Sequence, residues 1–233
     1  MPHQTQDQYV LSFYRVRQAL GVLGIVFPFL LIFGGWLENQ RIEPSISDYY
    51  HTTLRDIFVG ALFAIGIFLV SYKGHARKNG ERFSDNLAAT IAGLGAFGLA
   101  VFPNQLVPGT KNIFEFFLGE GAKWGHFLSA ILFLGAMAYF ALVKFSRTLN
   151  PIRRRIYRLC GWVIVVGGVG ATVLSVLRAL PNLGMSDQIE SLGLIFWCEA
   201  FGIWAFGVSW LVKGKADIMV LRQIKRTRRN RHW

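Results

Sequence analysis

Six long apolar runs, separated by short polar segments, constrain the fold of this chain more than any other feature. Each run can cross roughly 30 Å of hydrocarbon as a helix, although the second and third are close to the lower limit of about 17 residues. None shows the apolar–polar alternation typical of outer-membrane barrels. The runs lie at about 17–37, 56–72, 87–103, 124–143, 159–178 and 189–212. They predict an all-α fold class, a polytopic integral membrane protein with six transmembrane helices in one domain over 1–233.

The composition also indicates a membrane protein. Hydrophobic residues make up 53% of the chain and charged residues only 16%, whereas a soluble domain has about 25% charged residues. The two cysteines, Cys160 and Cys198, lie in separate apolar runs without a second cysteine or a histidine at metal-ligand spacing. This pattern excludes a disulfide framework, a zinc ribbon and a CxxC redox site.

The lysines and arginines are distributed unequally between the two sides of this six-span plan. Twenty of the 25 precede span one, lie between spans two and three or between four and five, or belong to the basic tail 213–233. Because positive residues are retained on the cytoplasmic side, we predict that the N and C termini are both cytoplasmic. The compact loops and the absence of targeting signals favour a bacterial inner (cytoplasmic) membrane.

The basic tail carries a run from Arg222 to Trp233 that could also indicate binding of nucleic acid. Here the run begins about nine residues after span six, where anionic lipid headgroups are the nearest polyanion. Each lysine or arginine near such a surface contributes about 1 kcal/mol to binding. We therefore expect membrane lipids as partners, with anionic headgroups at the tail, and no nucleic acid.

Polar residues concentrate between spans one and two, on the side opposite the basic tail. This outer loop, 38–56, holds four acids, one histidine and two tyrosines, and His126 opens span four on the same side. Since a histidine titrates near neutral pH, we predict that His126 or Asp48 is the general base if a reaction is catalysed. The candidate ligand-binding residues around them are Ser47, Tyr50, His51 and Asp56.

Familiar catalytic and metal-binding motifs are absent from the sequence. HxxxH and HExxH do not occur, so we predict no metal site. GxSxG and a phosphate-binding P-loop are absent as well. The sequence leaves open which cofactor, if any, is bound.

Glu199 and Arg178 are the two remaining ligand-binding candidates. Glu199 lies about ten residues into span six, roughly 15 Å along its axis, where an ionisable side chain faces the protein interior or a water-filled cavity. It is either a proton, ion or acid–base group, or a structural hydrogen-bond partner of Ser175 or Thr172. Arg178 either pairs with Glu190, Glu199 or a lipid phosphate, or extends to the interface without a partner.

Glycines cluster inside two of the spans. Small residues let membrane helices approach closely, so we predict packed helix faces at these positions, with a permeation hinge as the alternative. The two clusters are Gly93, Gly95 and Gly98, and Gly167, Gly168 and Gly170.

Two short motifs resemble a known family. The segment Pro44-Ser45-Ile46-Ser47-Asp48 resembles the P-x-I-S-D segment in the corresponding loop of the DRAM/Frag/Sfk family. His126, followed by Phe127-Leu128-Ser129-Ala130, resembles the histidine at the start of that family's fourth helix. The resemblance implies six membrane helices, a link to lipid chemistry and a common site that would involve Ser47, Asp48 and His126.

Three functional hypotheses follow from these patterns. The first is an outward-facing polar intramembrane cavity that binds or processes a lipid or lipid-linked molecule, with Glu199 at its floor. The second is a small proton- or cation-coupled transporter or channel that uses Glu199. The third is a non-catalytic membrane scaffold or sensor.

Overall fold

The computed structural model describes residues 2–72, 84–106, 112–180 and 184–215, with side chains described from residue 14 onward. These residues form eight α-helices, a short 3-10 helix and one π-helical turn, and they include no strand. Most of the basic tail lies outside the described residues. The α-helices are α1 (Pro2–Asn39), α2 (Arg55–Val70), α3 (Asp85–Val101), α4 (Ile113–Leu118), α5 (Gly121–Tyr139), α6 (Pro151–Arg178), α7 (Ser186–Ser191) and α8 (Leu194–Lys213). The 3-10 helix spans Ile46–His51, and the π-helical turn, Phe140–Phe145, extends α5.

Four helical segments are long and apolar enough to cross a membrane. They are Tyr14–Asn39, Gly121–Phe145, Pro151–Arg178 and Leu194–Lys213. The runs predicted at 56–72 and 87–103 are also helices, but α2 and α3 contain 16 and 17 residues and so are near the lower length limit. The all-α class and several membrane-length helices are therefore confirmed for the described residues.

The run predicted to form span six, from about residue 189, is not one continuous helix. The run 189–212 is interrupted at Gly193, whose backbone lies in the left-handed region with φ of 59°. Glycine adopts this conformation without a steric penalty, and here it separates α7 from α8. Because α8 begins only at Leu194, every polar group on its first turns is closer to the helix end than the apolar pattern suggests.

The helices alternate in direction, so their ends meet in two groups. One group contains the loop after α1, the C-terminal ends of α3 and α6, and the N-terminal ends of α5 and α8. We call this the outer end of the bundle. The opposite, inner end contains the first part of the apolar stretch of α1, the N-terminal end of α3, and the C-terminal ends of α2, α5 and α8.

Glycines allow two pairs of helices to pack at close distance. A Cβ atom on Gly95 of α3 would lie 2.7 Å from the backbone nitrogen of Phe133 and 2.9 Å from the carbonyl oxygen of Ser129 in α5. A Cβ on Gly167 of α6 would lie 2.5 Å from the carbonyl oxygen of Cys198 in α8. The predicted packed faces are confirmed at these positions, because a larger side chain at either glycine would collide with the backbone of the neighbouring helix.

Candidate functional site

The 3-10 helix Ile46–His51 fixes the polar residues of the outer loop. Ser45 begins it: its hydroxyl accepts a hydrogen bond from the backbone nitrogen of Ser47 (3.1 Å), and its carbonyl accepts one from that of Asp48 (3.1 Å). Asp48 and Tyr50 are only 5% exposed. The loop is therefore a packed part of the bundle, and its side chains have defined directions.

Glu199 attaches this loop to α8. Its Oε2 atom accepts hydrogen bonds from the Ser45 hydroxyl (2.8 Å) and from the backbone nitrogen of Ile46 (2.7 Å). The backbone N–H of Phe196, which has no partner within its own helix, donates to the Pro44 carbonyl at 2.8 Å. Three hydrogen bonds thus join the first two turns of α8 to residues 44–46.

The predicted depth and partners of Glu199 need correction. Glu199 is the sixth residue of α8, so it lies about 7.5 Å from the start of the helix rather than 15 Å. Its hydrogen bonds go to the outer loop, whereas the hydroxyl of Thr172 donates to Gly168 in its own helix. Glu199 is a junction between helix and loop near the outer end, not an isolated acid at mid-span.

His126 forms a hydrogen-bonded pair with Ser47. The Nδ1 atom of His126 lies 2.9 Å from the carbonyl oxygen of Phe102, and Nε2 lies 3.0 Å from the Ser47 hydroxyl. A carbonyl can only accept, so Nδ1 carries a proton, and in the neutral form of the ring Nε2 would accept from Ser47. His126 is 3% exposed and its orientation is fixed from both sides.

Asp48 is held by two donors from other elements. Its Oδ2 lies 3.1 Å from Nη1 of Arg178, and its Oδ1 accepts from the side-chain nitrogen of Asn104 at 2.6 Å. Arg178 also pairs through Nε with Glu190 at 2.6 Å. Of the predicted alternatives for Arg178, pairing with Glu190 is therefore the one observed, and Asp48 is a second partner.

His51 extends this network on the other side of Asn104. Its Nε2 donates to Oδ1 of Asn104 at 3.1 Å, so the amide links His51 to Asp48. Burial lowers the pKa of His51 below its usual value of 6.5, and the Asn104 hydrogen bond and the charge of Asp48 partly oppose this shift. His51 therefore favours the neutral form more strongly than an exposed histidine.

Tyr50 and Asp56 lie apart from these contacts. The Tyr50 hydroxyl donates to the Val101 carbonyl (3.2 Å) and accepts from Arg55 (3.0 Å) and from Asn112. These bonds tie the loop to the end of α3, which is a structural role. Asp56 is exposed in the first turn of α2.

An apolar cavity lies directly below Ser47 and Glu199. Its volume is about 60 Å³, and we call it the outer cavity. Apart from these two residues, its side chains are almost entirely hydrocarbon or aromatic. It is lined by Phe27, Ile46, Phe58, Leu62, Leu99, Ala130, Phe133, Leu134, Gly168, Cys198, Gly202 and Ile203. The polar groups are at its outer side, since Ile203 lies one turn deeper in α8 than Glu199.

The fold brings most of the predicted site residues to one place. Ser47, Asp48 and His51 lie on the 3-10 helix, and His126 and Glu199 contact that helix or the serine before it. Sequence reasoning missed Ser45 and Asn104. Asn104 follows Pro103 at the outer end of span three, and a single amide there is not a distinctive signal. Among the described residues, no three His, Cys, Asp or Glu side chains are placed to hold a metal ion.

Comparisons with protein-family models, with curated proteins and with solved structures found no match. The resemblance to the DRAM/Frag/Sfk family therefore stays a prediction. The function must be argued from the geometry of the site.

Proposed function

We propose that this chain is a six-helix protein of a bacterial cytoplasmic membrane, with both termini in the cytoplasm and the outer cavity facing away from it. The alternating helix directions and the charge distribution support this arrangement. Two exposed positions allow a direct test, Arg41 at the outer end and Leu149 at the inner end.

The topology test uses single cysteines in a chain whose two natural cysteines are replaced by serine. In intact cells, a membrane-impermeant maleimide should label Arg41→Cys and should label Leu149→Cys only after permeabilisation. The reverse pattern would overturn the orientation. Labelling of both positions in intact cells would overturn the six-span plan.

The proposed ligand of the outer cavity is a hydrocarbon chain of a lipid or lipid-linked molecule, with its polar end near Ser47 and Glu199. The apolar lining with two polar residues on one side carries this proposal. An apolar lining can accept a hydrocarbon chain, and the polar residues on one side fix the direction of the ligand. The same end of the bundle holds the candidate site predicted by resemblance.

Filling the cavity should prevent binding. Ala130→Phe places a ring in the cavity, whereas Gly135→Phe adds the same ring on the exposed side of the same helix, where a Cβ meets nothing within 4 Å. A photoreactive diazirine fatty acid should crosslink to the wild type and to Gly135→Phe, and much less to Ala130→Phe. Equal crosslinking of the two variants would contradict lipid binding in this cavity.

A second candidate function is acyl transfer, and the Ser47–His126 hydrogen bond favours it. An oriented histidine within hydrogen-bond reach of a hydroxyl is the arrangement that activates a serine nucleophile. The Ser47 oxygen would attack an ester carbonyl while Nε2 of His126 takes its proton. That proton would then pass to the departing alcohol, and water would release the acyl group from Ser47. Asp48 is less suited to be the base, because both its oxygens already face donors.

A fluorophosphonate probe tests this chemistry, since it reacts with activated serines. Wild-type protein should be labelled, and Ser47→Ala and His126→Gln should not. Ser191→Ala removes an exposed hydroxyl of α7 that donates to the Gln188 carbonyl, away from His126, and this variant should keep the label. Absence of labelling in the wild type would exclude the acyl-transfer function and leave lipid binding untouched.

The other two hypotheses predict different results. Transport through Glu199 requires that Glu199→Gln abolish ion flux in liposomes while loop variants retain it. We favour binding over transport because the Glu199 carboxylate is engaged by the loop through two hydrogen bonds. For a scaffold, no polar substitution should affect any activity unless it also lowers stability.

A further inference from the structure

A second polar cluster lies at the inner end of the bundle, opposite the outer cavity. It consists of Arg17 from α1, Tyr72 after α2, Asp85 at the start of α3, Lys144 at the end of α5 and Lys213 at the end of α8. We call these five residues the inner cluster. They come from five separate elements, and a floor of buried aromatic rings, Phe140, Phe145 and Trp210, lies beneath them.

The contacts within the inner cluster are close. Lys144 forms an ion pair with Asp85 at 2.9 Å, and its side chain is 5% exposed. Arg17 donates through Nη2 to the Tyr72 hydroxyl (3.2 Å), with its guanidinium 5.4 Å from the centre of that ring. The Lys213 ammonium lies 4.8 Å from the centre of the Phe145 ring and interacts electrostatically with both Arg17 and Asp85.

Positive charge exceeds negative charge in this cluster. As defined, it combines three cations with one carboxylate, and that carboxylate is already paired with Lys144. Among the described residues, Arg17 contacts the Tyr72 hydroxyl and ring, and Lys213 contacts the Phe145 ring, and these partners are uncharged. Cations removed from water normally have a charged partner, so the arrangement favours an additional anion.

One donor of Arg17 lacks a hydrogen-bond partner among the residues that the structure describes. This donor is the buried Nε atom, whereas Nη2 donates to Tyr72. An unsatisfied buried donor costs about 1–3 kcal/mol, and more when it is charged. The Nε–H group that remains can donate to an oxygen of a phosphate, a group with which arginine forms strong charge-assisted hydrogen bonds.

We propose that the inner cluster binds a phosphoryl group between Arg17 and Lys213. The site lies at the end of the bundle that also holds Arg147, Arg154 and Lys215. A lipid headgroup and a soluble phosphoester could each supply the phosphoryl group. Both present the same charged oxygens. The proposal is independent of the outer cavity, because the two sites share no residue and lie at opposite ends.

The test measures thermal unfolding of the full chain in dodecyl maltoside, a detergent without phosphate. A ligand that binds the folded protein raises the midpoint temperature. Dioleoyl phosphatidic acid, dioleoylglycerol as its neutral counterpart, and inorganic phosphate are titrated separately. The variants are Arg17→Gln and its matched control Arg15→Gln, which removes an exposed charge from the same helix.

Phosphatidic acid should stabilise the wild type and Arg15→Gln, and its apparent affinity should fall by about tenfold or more in Arg17→Gln, because a charged hydrogen bond is lost. Dioleoylglycerol should have no effect. Should inorganic phosphate stabilise the protein in the same Arg17-dependent way, the source is a soluble phosphoester. A response to the lipid alone identifies a headgroup.

Two results would overturn the proposal. One is the absence of stabilisation by either phosphate compound, and the other is equal stabilisation of Arg17→Gln and Arg15→Gln. If Arg17→Gln does not fold, Arg17→Lys replaces it, since this variant keeps the charge but lacks Nε. Arg17→Lys should also bind phosphatidic acid more weakly than Arg15→Gln does, and equal affinity of these two variants would again overturn the proposal.

Discussion

The carboxylate of Glu199 and the backbone nitrogen of Ile46 are joined by a hydrogen bond of 2.7 Å, although 153 residues separate them in the sequence. The same oxygen accepts from Ser45 at 2.8 Å. Through this single atom, the last long helix holds the first turn of the 3-10 helix in place. The outer wall of the cavity therefore depends on a residue that is not part of the loop.

Substitutions of Glu199 should separate the hydrogen bonds from the charge. Glu199→Gln retains an acceptor oxygen and should lose less than about 1 kcal/mol of stability. Glu199→Leu leaves two buried donors without a partner and should lose about 2–4 kcal/mol. Thermal or denaturant unfolding in detergent measures both, and equal losses for the two variants would contradict the proposed role of Glu199.

Removal of the Asp48 charge should weaken the outer network. Asp48→Asn replaces the carboxylate that faces Arg178 with a neutral amide, which cannot balance the charge of the guanidinium. We expect the free energy of unfolding to fall by about 1–3 kcal/mol. Arg178 keeps Glu190 and is partly exposed, which limits the loss. Asp56→Asn is the control, because this acid is exposed in the first turn of α2, where its interaction with the helix dipole is worth about 0.3–1 kcal/mol. The prediction fails if both variants unfold at the same temperature.

His51 should make stability depend on pH in the mildly acidic range. Burial lowers its pKa in the folded protein, so below pH 6.5 the unfolded chain binds more protons at this residue. The stability that His51 contributes is therefore present above pH 6.5 and is lost as pH falls through its folded pKa. Between pH 7.5 and 5, the wild type should lose more stability than His51→Gln. Identical pH profiles would show that His51 does not contribute.

The close contact of α3 and α5 should be sensitive to a single methyl group. Gly95→Ala would bring its Cβ to 2.7 Å from the Phe133 nitrogen, and we expect a loss of about 1–3 kcal/mol. Gly135→Ala meets open space and should be neutral or more stable by up to about 1 kcal/mol, because alanine favours helices. Unfolding midpoints of the two variants decide this, and a stabilising Gly95→Ala would show that the helices are not tightly packed here.

The sequence predicts the helices well because their signal is local. A long apolar run leaves few alternatives to a helix, and all six predicted runs are helical over most of their length. The break before α8 was not predicted, since Gly193 lies between Leu192 and Leu194, so hydropathy shows no interruption. The left-handed backbone conformation of Gly193 separates α7 from α8, and this conformation cannot be deduced from the hydropathy of the run.

The site was predicted in its location but not in its contacts. Charge distribution and alternation of the spans place the outer loop, His126 and Arg178 at one end of the bundle. The partner of each group depends on distances that only packing determines, as with Ser47 and His126, 79 residues apart. Asn104 was missed because a single amide in a loop has no distinctive pattern until its two neighbours are known.

The hydrogen bonds that hold the outer loop against α8 and α5 affect how a ligand would reach the outer cavity. A molecule arriving from water above the bundle would have to displace Pro44, Ile46 and Ser47 from their partners on α8 and α5, which breaks several hydrogen bonds at once. For the lipid ligand that we propose, entry from the bilayer between helices would leave these hydrogen bonds intact, so the lipids around the protein would determine what the cavity receives.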